Sequence, residues 1–288
     1  MDSAIKITYI CLAVNVFLTV IKFLAGIFGN SMVMLADAVH SASDVISTLI
    51  VLAAIRIARR PEDEDHEYGH ERFESIGAII LALMLLTVGA EMGFDGATIL
   101  LEGSYVDSPM PGISALTAAI LSIVVKELMY RYTRRIGEEV KSDALIADAW
   151  HHRSDALSSI GSLIGIAAAR YGFLFMDALS SLVICVLIIK SAWEIFLTAV
   201  NKLTDHTCGE EIENSMRRAI LSVDGVLRID VLKTRQFGSK SYVDVEISVS
   251  GELSLHAAHE IAERVHARIE QKFDGVKHCT VHVNPFEE

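Results

Sequence analysis

The sequence predicts an α-helical polytopic membrane domain of six transmembrane helices, followed by a small C-terminal α+β domain in the order α-β-β-α-β. Three observations predict it. The chain has 288 residues, 52% of them hydrophobic, with a mean hydropathy of +0.42, which is too apolar for an ordinary soluble domain. The apolar residues gather in roughly the first two hundred positions, in stretches long enough to span a bilayer. After about Thr207 the pattern changes to short amphipathic helix and strand signals. The expected domains are therefore residues 1–205, in the membrane, and 206–288, outside it.

The first span covers about Ile5 to Phe28, and Gly29-Asn30-Ser31 turns directly into the second, Met32 to Ala58, which Arg59-Arg60-Pro61 ends. A polar loop from Glu62 to Arg72 leads to a third span, Phe73 to Leu101, and a proline-bearing turn follows. The fourth span runs from Ile113 to Tyr132, the fifth from Ala144 to Ala169 and the sixth from Phe173 to Leu203. Beyond it, Gly209 to Ser222 reads as a helix, Val226 to Gln236 and Ser241 to Val249 as strands around a Gly238-Ser239 turn, Ser254 to Phe273 as an amphipathic helix, and Lys277 to Val283 as a last strand. Helices on one face of a small sheet follow from that order.

Lys and Arg near the span ends fall overwhelmingly on one side: Lys6, Arg56, Arg59, Arg60, Arg72, Arg131, Arg134, Arg135, Lys141 and Lys202, against Arg170. Both termini are therefore expected in the cytoplasm of a multi-pass protein of the cell (inner) membrane. The net charge of −12 argues against a nucleic-acid partner. Cys11, Cys185, Cys208 and Cys279 have neither disulfide nor metal spacing and read as separate thiols. The long first span has no small-residue cleavage site after it and reads as a retained helix.

One nonapeptide occurs twice, as Ala36-Asp37-Ala38-Val39-His40-Ser41-Ala42-Ser43-Asp44 and Ala147-Asp148-Ala149-Trp150-His151-His152-Arg153-Ser154-Asp155, with six of nine positions identical. In each copy a His and an Asp four residues apart share one helical face. His40 and Asp44 lie roughly 12 to 18 Å below the outer end of their span, and His151 and Asp155 roughly 10 to 17 Å above the inner end of theirs. The copies run antiparallel, so all four residues meet near the bilayer midplane. Burying a carboxylate there costs at least ~2.5 kcal/mol unless it is paired. A shared divalent cation, or protons, would supply the counter-charge, and two imidazoles with two carboxylates suit a tetrahedral metal such as zinc. The bland alternative is a pair of helix-gluing hydrogen bonds. Asp37 and Asp148 precede their histidines by three residues, near enough to orient the site through a further hydrogen bond, or to line a water cavity. Lys22, Lys126, Glu127, Lys190 and Glu194 read as side chains that snorkel to the interface and receive no role.

These features resemble the cation diffusion facilitator family: six spans, HxxxD on the second and fifth, a histidine-bearing acidic loop between the second and third, and a terminal metallochaperone-like domain. The resemblance covers nearly the whole chain. It implies a homodimeric secondary transporter, not an enzyme, that exports a divalent metal from the cytoplasm in exchange for protons, with His40, Asp44, His151 and Asp155 as its transport site. A His/Asp quartet resembles the zinc-type members, so Zn2+ is the expected substrate and a possible regulatory ligand. Iron, manganese and cadmium export are the alternatives within the family, and Glu127 to Tyr132 resembles its magnetosome members.

The resemblance implies further sites. Asp63, His66 and His70 match a loop metal site, against the reading of a solvated acidic loop with incidental histidines. Asp230, Glu246, His259, His282 and Asn284 match a metal pair in the cytoplasmic regulatory and dimerisation domain, although oxygen donors stand where relatives carry histidines. Arg72 and Asp205 match a charged interlock between protomers. Outside the family, a membrane zinc metalloenzyme would keep a water in the fourth metal position, and a passive channel would conduct without proton coupling.

Overall fold

The computed structural model describes residues 3–28, 32–103, 113–170 and 176–286. Within these, the side chains of 25–41 and 161–178 are among those that lie outside the described residues. The chain divides into two compact units, Met1–Ala199 and Val200–Glu288.

The first unit is built from α1 (Ser3–Phe28), α2 (Met32–Ala58), α3 (Phe73–Glu102), α4 (Ile113–Val140), α5 (Asp143–Arg170) and most of α6 (Met176–Leu203). α2 has the limits read from its apolar pattern. α4 continues a further two turns beyond Tyr132 because its polar extension stays helical, with Arg134 Nε donating to Glu138 Oε1 at 2.7 Å one turn later. Ser3–Ile21 and Phe73–Glu102 are each long and apolar enough to cross a bilayer, with a mean hydropathy of 2.1. Large apolar side chains face outward along the bundle, among them Phe17 at 63% exposure and Phe94 at 73%. Such a jacket suits lipid and would be a liability in water.

The interior is packed largely with small residues. Ala54 of α2, Ala78 and Ala82 of α3, Ala144 and Ala147 of α5 and Ala192 and Ala199 of α6 are all buried in one cluster with Ile55, Leu81 and Leu85. At Gly77 a Cβ would stand 2.5 Å from the Ala54 Cβ, so α3 touches α2 backbone to side chain. This close packing fixes the elements that carry the polar residues. Asp44, Lys126, Asp148, His151 and His152, on α2, α4 and α5, are all buried.

The second unit contains α7 (Glu210–Leu221), β1 (Arg228–Phe237), β2 (Lys240–Val249), α8 (Leu255–Lys272) and β3 (Val276–Pro285). β1 and β2 are antiparallel around Gly238 at φ 59°, and β3 joins β2 in parallel after the α8 crossover, giving the order β1-β2-β3. Met216 and Ile220 of α7 and Ile261, Val265 and Ile269 of α8 bury against Val243, Val245, Ile247 and Cys279. Ser254 caps α8 by accepting from the Ala257 amide at 3.3 Å. The alternation that buries Val245 and Ile247 leaves Glu246 and Ser248 on the sheet face away from the helices.

Candidate metal centre and its companions

α2 and α5 bring Asp44, His151 and Asp155 together, with one potential ligand atom from each lying within 4.8 Å of the others. His151 Nε2 is 3.3 Å from Asp44 Oδ1. His40 and Asp37 ride on the same helix as Asp44, but their side chains lie outside the described residues. Asp44 is 2% exposed and His151 6%. A carboxylate and an imidazole at that depth, with a second carboxylate beside them, make a local negative site that only a cation can balance.

Lys126 of α4 supplies half of that balance. Its ammonium donates to Asp44 Oδ2 at 2.5 Å, to Asp155 Oδ2 at 2.9 Å and to Asn15 Oδ1 at 3.4 Å. Three N–H donors thus meet three acceptors, and the ammonium cancels one of the two carboxylate charges, leaving the group with one negative charge unbalanced. Asn15 of α1, itself buried, donates to the Thr48 hydroxyl at 3.0 Å, and Thr48 in turn donates to the Asp44 carbonyl at 3.0 Å. Sequence reasoning missed both Asn15 and Lys126. His151 Nε2 and Asp44 Oδ1 have only each other, at 3.3 Å, and among the described residues His151 Nδ1 has no hydrogen-bond partner, so lone pairs that a cation could take are left over.

Asp148 and His152 are placed elsewhere. They lie with Cys11 of α1, in a separate buried group, and not among the atoms gathered around Asp44.

The loop residues Asp63, His66 and His70 do converge. His66 Nδ1 and His70 Nε2 lie 3.4 and 3.3 Å from the two oxygens of Asp63, and the two rings are 4.4 Å apart. Gly69, at φ 92°, gives the non-helical backbone that folds the loop back. His70 is buried and its Nδ1 lies 3.1 Å from the Pro61 carbonyl, which only a protonated nitrogen can bond, leaving Nε2 to face Asp63. The His66 amide, donating to Asp63 Oδ1 at 2.8 Å, holds that carboxyl below its ordinary pKa. If the group binds metal, His70→Ala lowers zinc affinity at the loop by about tenfold or more, and by more than His66→Ala, because only His70 is pre-oriented. Calorimetric titration of the purified protein checks the order of the two variants.

In the second unit, Asn284 Nδ2 donates to Asp230 Oδ2 at 3.1 Å and to Glu246 Oε2 at 3.4 Å, and the Ser248 hydroxyl donates to Asp230 Oδ2 at 2.6 Å. His282 pairs in register with Glu246. Asp230, Glu246, His282 and Asn284, with Ser248, share the open sheet face. His259 does not join them: it sits on α8, which covers the opposite face, and lies 3.6 Å from Glu263 in solvent. Hydrogen bonds from Ser248, then Asn284 and Arg228, pull the Asp230 carboxyl down to about 2. A depressed carboxyl stabilises the fold above its unfolded value and loses that contribution as pH falls toward the folded one, so Asp230 stays ionised throughout the cellular range. Arg72, at the start of α3, and Asp205, in a left-handed backbone conformation at φ 59°, belong to separate units.

A buried anionic site half-balanced by one ammonium, in a helix bundle jacketed with apolar side chains, suits a membrane carrier of cations. Residues 8–204 match the cation efflux transmembrane domain and residues 208–286 the cation efflux protein cytoplasmic domain, which is a dimerisation domain. The chain belongs to the cation diffusion facilitator family, whose members move divalent metal cations out of a compartment and are not enzymes. It is 33% identical to the manganese efflux system protein MneP of Bacillus subtilis, over 98% of this chain and 96% of that one. It is 30% identical to the magnetosome protein MamB of a Magnetospira species, over 94% and 92% of the two chains. A cadmium form of the MamM cytoplasmic domain matches 27% of this chain and 95% of its own, with 28% identity and a TM-score of 0.26.

Proposed function

We propose that this chain is a Zn2+/H+ antiporter. It works as a homodimer in the cell membrane, with both termini in the cytoplasm, and exports zinc through His40, Asp44, His151 and Asp155. The observation that carries the reading is the convergence of Asp44 and Asp155 on a single buried ammonium, with His151 beside Asp44. A site that half-neutralises its two carboxylates with a tethered cation accepts a divalent ion by exchange: the metal takes the place of Lys126 between Asp44 and Asp155, and the ammonium withdraws. Imidazole favours zinc over metals that prefer all-oxygen ligands. Metal also requires neutral imidazole, so protons and metal compete for the same nitrogens, which couples their movement. The loop group of Asp63, His66 and His70 and the open-face group of Asp230, Glu246, His282 and Asn284 are proposed as delivery and regulatory sites, with Arg72 and Asp205 holding protomers together.

A manganese exporter is the second reading, favoured by the likeness to a relative named for manganese efflux. Reconstituted vesicles with a pH-sensitive dye inside separate the two. The zinc reading expects proton counter-flow on adding Zn2+ and little on adding Mn2+; a response to Mn2+ alone overturns it. Metal flux that continues with the pH gradient clamped and no proton movement would instead identify a passive channel.

A further inference from the structure

We propose that Cys11, Asp148 and His152 form a second buried metal site, separate from the transport quartet and suited to a thiophilic divalent cation such as Zn2+ or Cd2+. Cys11 comes from α1 and the other two from successive turns of α5. Their candidate ligand atoms all lie within 4.8 Å of one another. His152 Nε2 stands 3.5 Å from Asp148 Oδ2. Two ligands at about 2.1 Å from a tetrahedral metal are about 3.4 Å apart, so this edge already has the needed length. Closing the remaining gap to the sulfur asks for a shift on the order of 1 Å.

Burial makes the case independent of the cluster itself. Asp148 and His152 are 0% exposed and Cys11 is 1% exposed. Among the described residues, Asp148 Oδ1 and His152 Nδ1 lack a hydrogen-bond partner, and Asp148 Oδ2 and His152 Nε2 have only each other, at 3.5 Å. Leaving two fully buried polar side chains so placed is costly, by about 1–3 kcal/mol for each unsatisfied group, and a divalent cation would satisfy one edge of each side chain at once. Thr133 Oγ1 of α4, 3.2 Å from Cys11 Sγ, offers a fourth donor. On binding, the sulfur–metal bond forms as the thiol proton leaves to water, and the thiolate with the carboxylate cancels the charge of the metal.

The ring of His152 is 6.3 Å from that of His151, and Asp148 precedes Asp155 on α5 by about 10 Å. The site therefore lies beside the quartet, toward the start of α5. A thiolate in the ligand set discriminates in favour of zinc and cadmium and against manganese.

The test reads binding and not transport, so it fails or succeeds separately from the antiport reading. The full-length dimer carrying Cys185→Ser, Cys208→Ser and Cys279→Ser is titrated with Cd2+, and the ultraviolet thiolate-to-metal charge-transfer band is followed. The expected result is a band that saturates at about one Cd2+ per chain. It persists in Asp155→Asn, disappears in Cys11→Ser, and needs at least about tenfold more Cd2+ in Asp148→Asn or His152→Asn. No band, or a band that Asp148→Asn and His152→Asn leave unchanged, overturns the proposal. Should the triple background fail to fold, the single Cys11→Ser variant against the native chain, with zinc-edge X-ray absorption counting sulfur neighbours, gives the same decision: no lost sulfur scatterer, no site.

Discussion

Replacing Lys126 with alanine tightens zinc binding at the transport site by about tenfold or more while weakening the metal-free fold by about 3–5 kcal/mol. The two effects have one cause. In the native chain the ammonium lies between Asp44 and Asp155, so an arriving metal must overcome its attraction to both carboxylates before it gains its own. Without Lys126 the metal meets bare carboxylates that nothing else neutralises, and binding becomes their only relief. The zinc-dependent rise in melting temperature of the solubilised protein should therefore be much larger in Lys126→Ala than in the native chain. Turnover should fall, because no tethered cation returns to push the metal out and the loaded state becomes too stable. Lys126→Arg keeps the charge but brings a planar fork in place of a compact ammonium, and should restore the metal-free stability only in part. Equal or weaker zinc affinity in Lys126→Ala would remove the exchange mechanism.

The six apolar helices and the α-β-β-α-β order were legible because burial in lipid or against a sheet leaves a periodic trace in sequence. That Asp44, His151 and Asp155 come together was legible for another reason, the nine-residue repeat; the side chain of His40 lies outside the described residues. The role of Lys126 was not legible, and the reason is which way its side chain faces. It lies about 9 Å from the apolar edge of α4 at Tyr132, within reach of a snorkelling side chain. The helix continues through Arg134 and Glu138 to Val140, but that extension is polar and leaves the interface where it was. Lys126 instead turns into the bundle, at 4% exposure, where only carboxylates can pair its charge. A snorkelling lysine and an inward one have the same spacing in sequence.

Cys11 illustrates a different limit. Its neighbours Asp148 and His152 are more than a hundred positions away, and nothing in a linear pattern pairs α1 with α5. His259 is the opposite case, where the signal was present. Strand alternation puts Glu246 on the face opposite Val245 and Ile247, and α8 has to cover the apolar face, so a histidine on α8 is excluded from the Glu246 group within one chain.

Asp155→Ala should reduce zinc-driven proton flux in proteoliposomes by at least about 100-fold while leaving the protein folded. Asp155 carries one of the two carboxylates on which Lys126 rests, at 2.9 Å, and is less deeply buried than Asp44. Removing it takes one negative charge from the metal and leaves a neutral Asp44–Lys126 pair, which is a stable arrangement with no charge left to attract a divalent ion. That pairing separates a transport role from a structural one. If Asp155 only glued helices, its loss would destabilise the fold and Lys126→Ala would make matters worse. If it holds metal opposite a tethered ammonium, Lys126→Ala on top of Asp155→Ala removes the competing cation, returns one charge to Asp44 and recovers part of the zinc affinity that the single variant lost. Such coupling between contacting residues is measurable as a double-mutant cycle on zinc binding. Additive losses, or undiminished flux in Asp155→Ala, would take Asp155 out of the transport site.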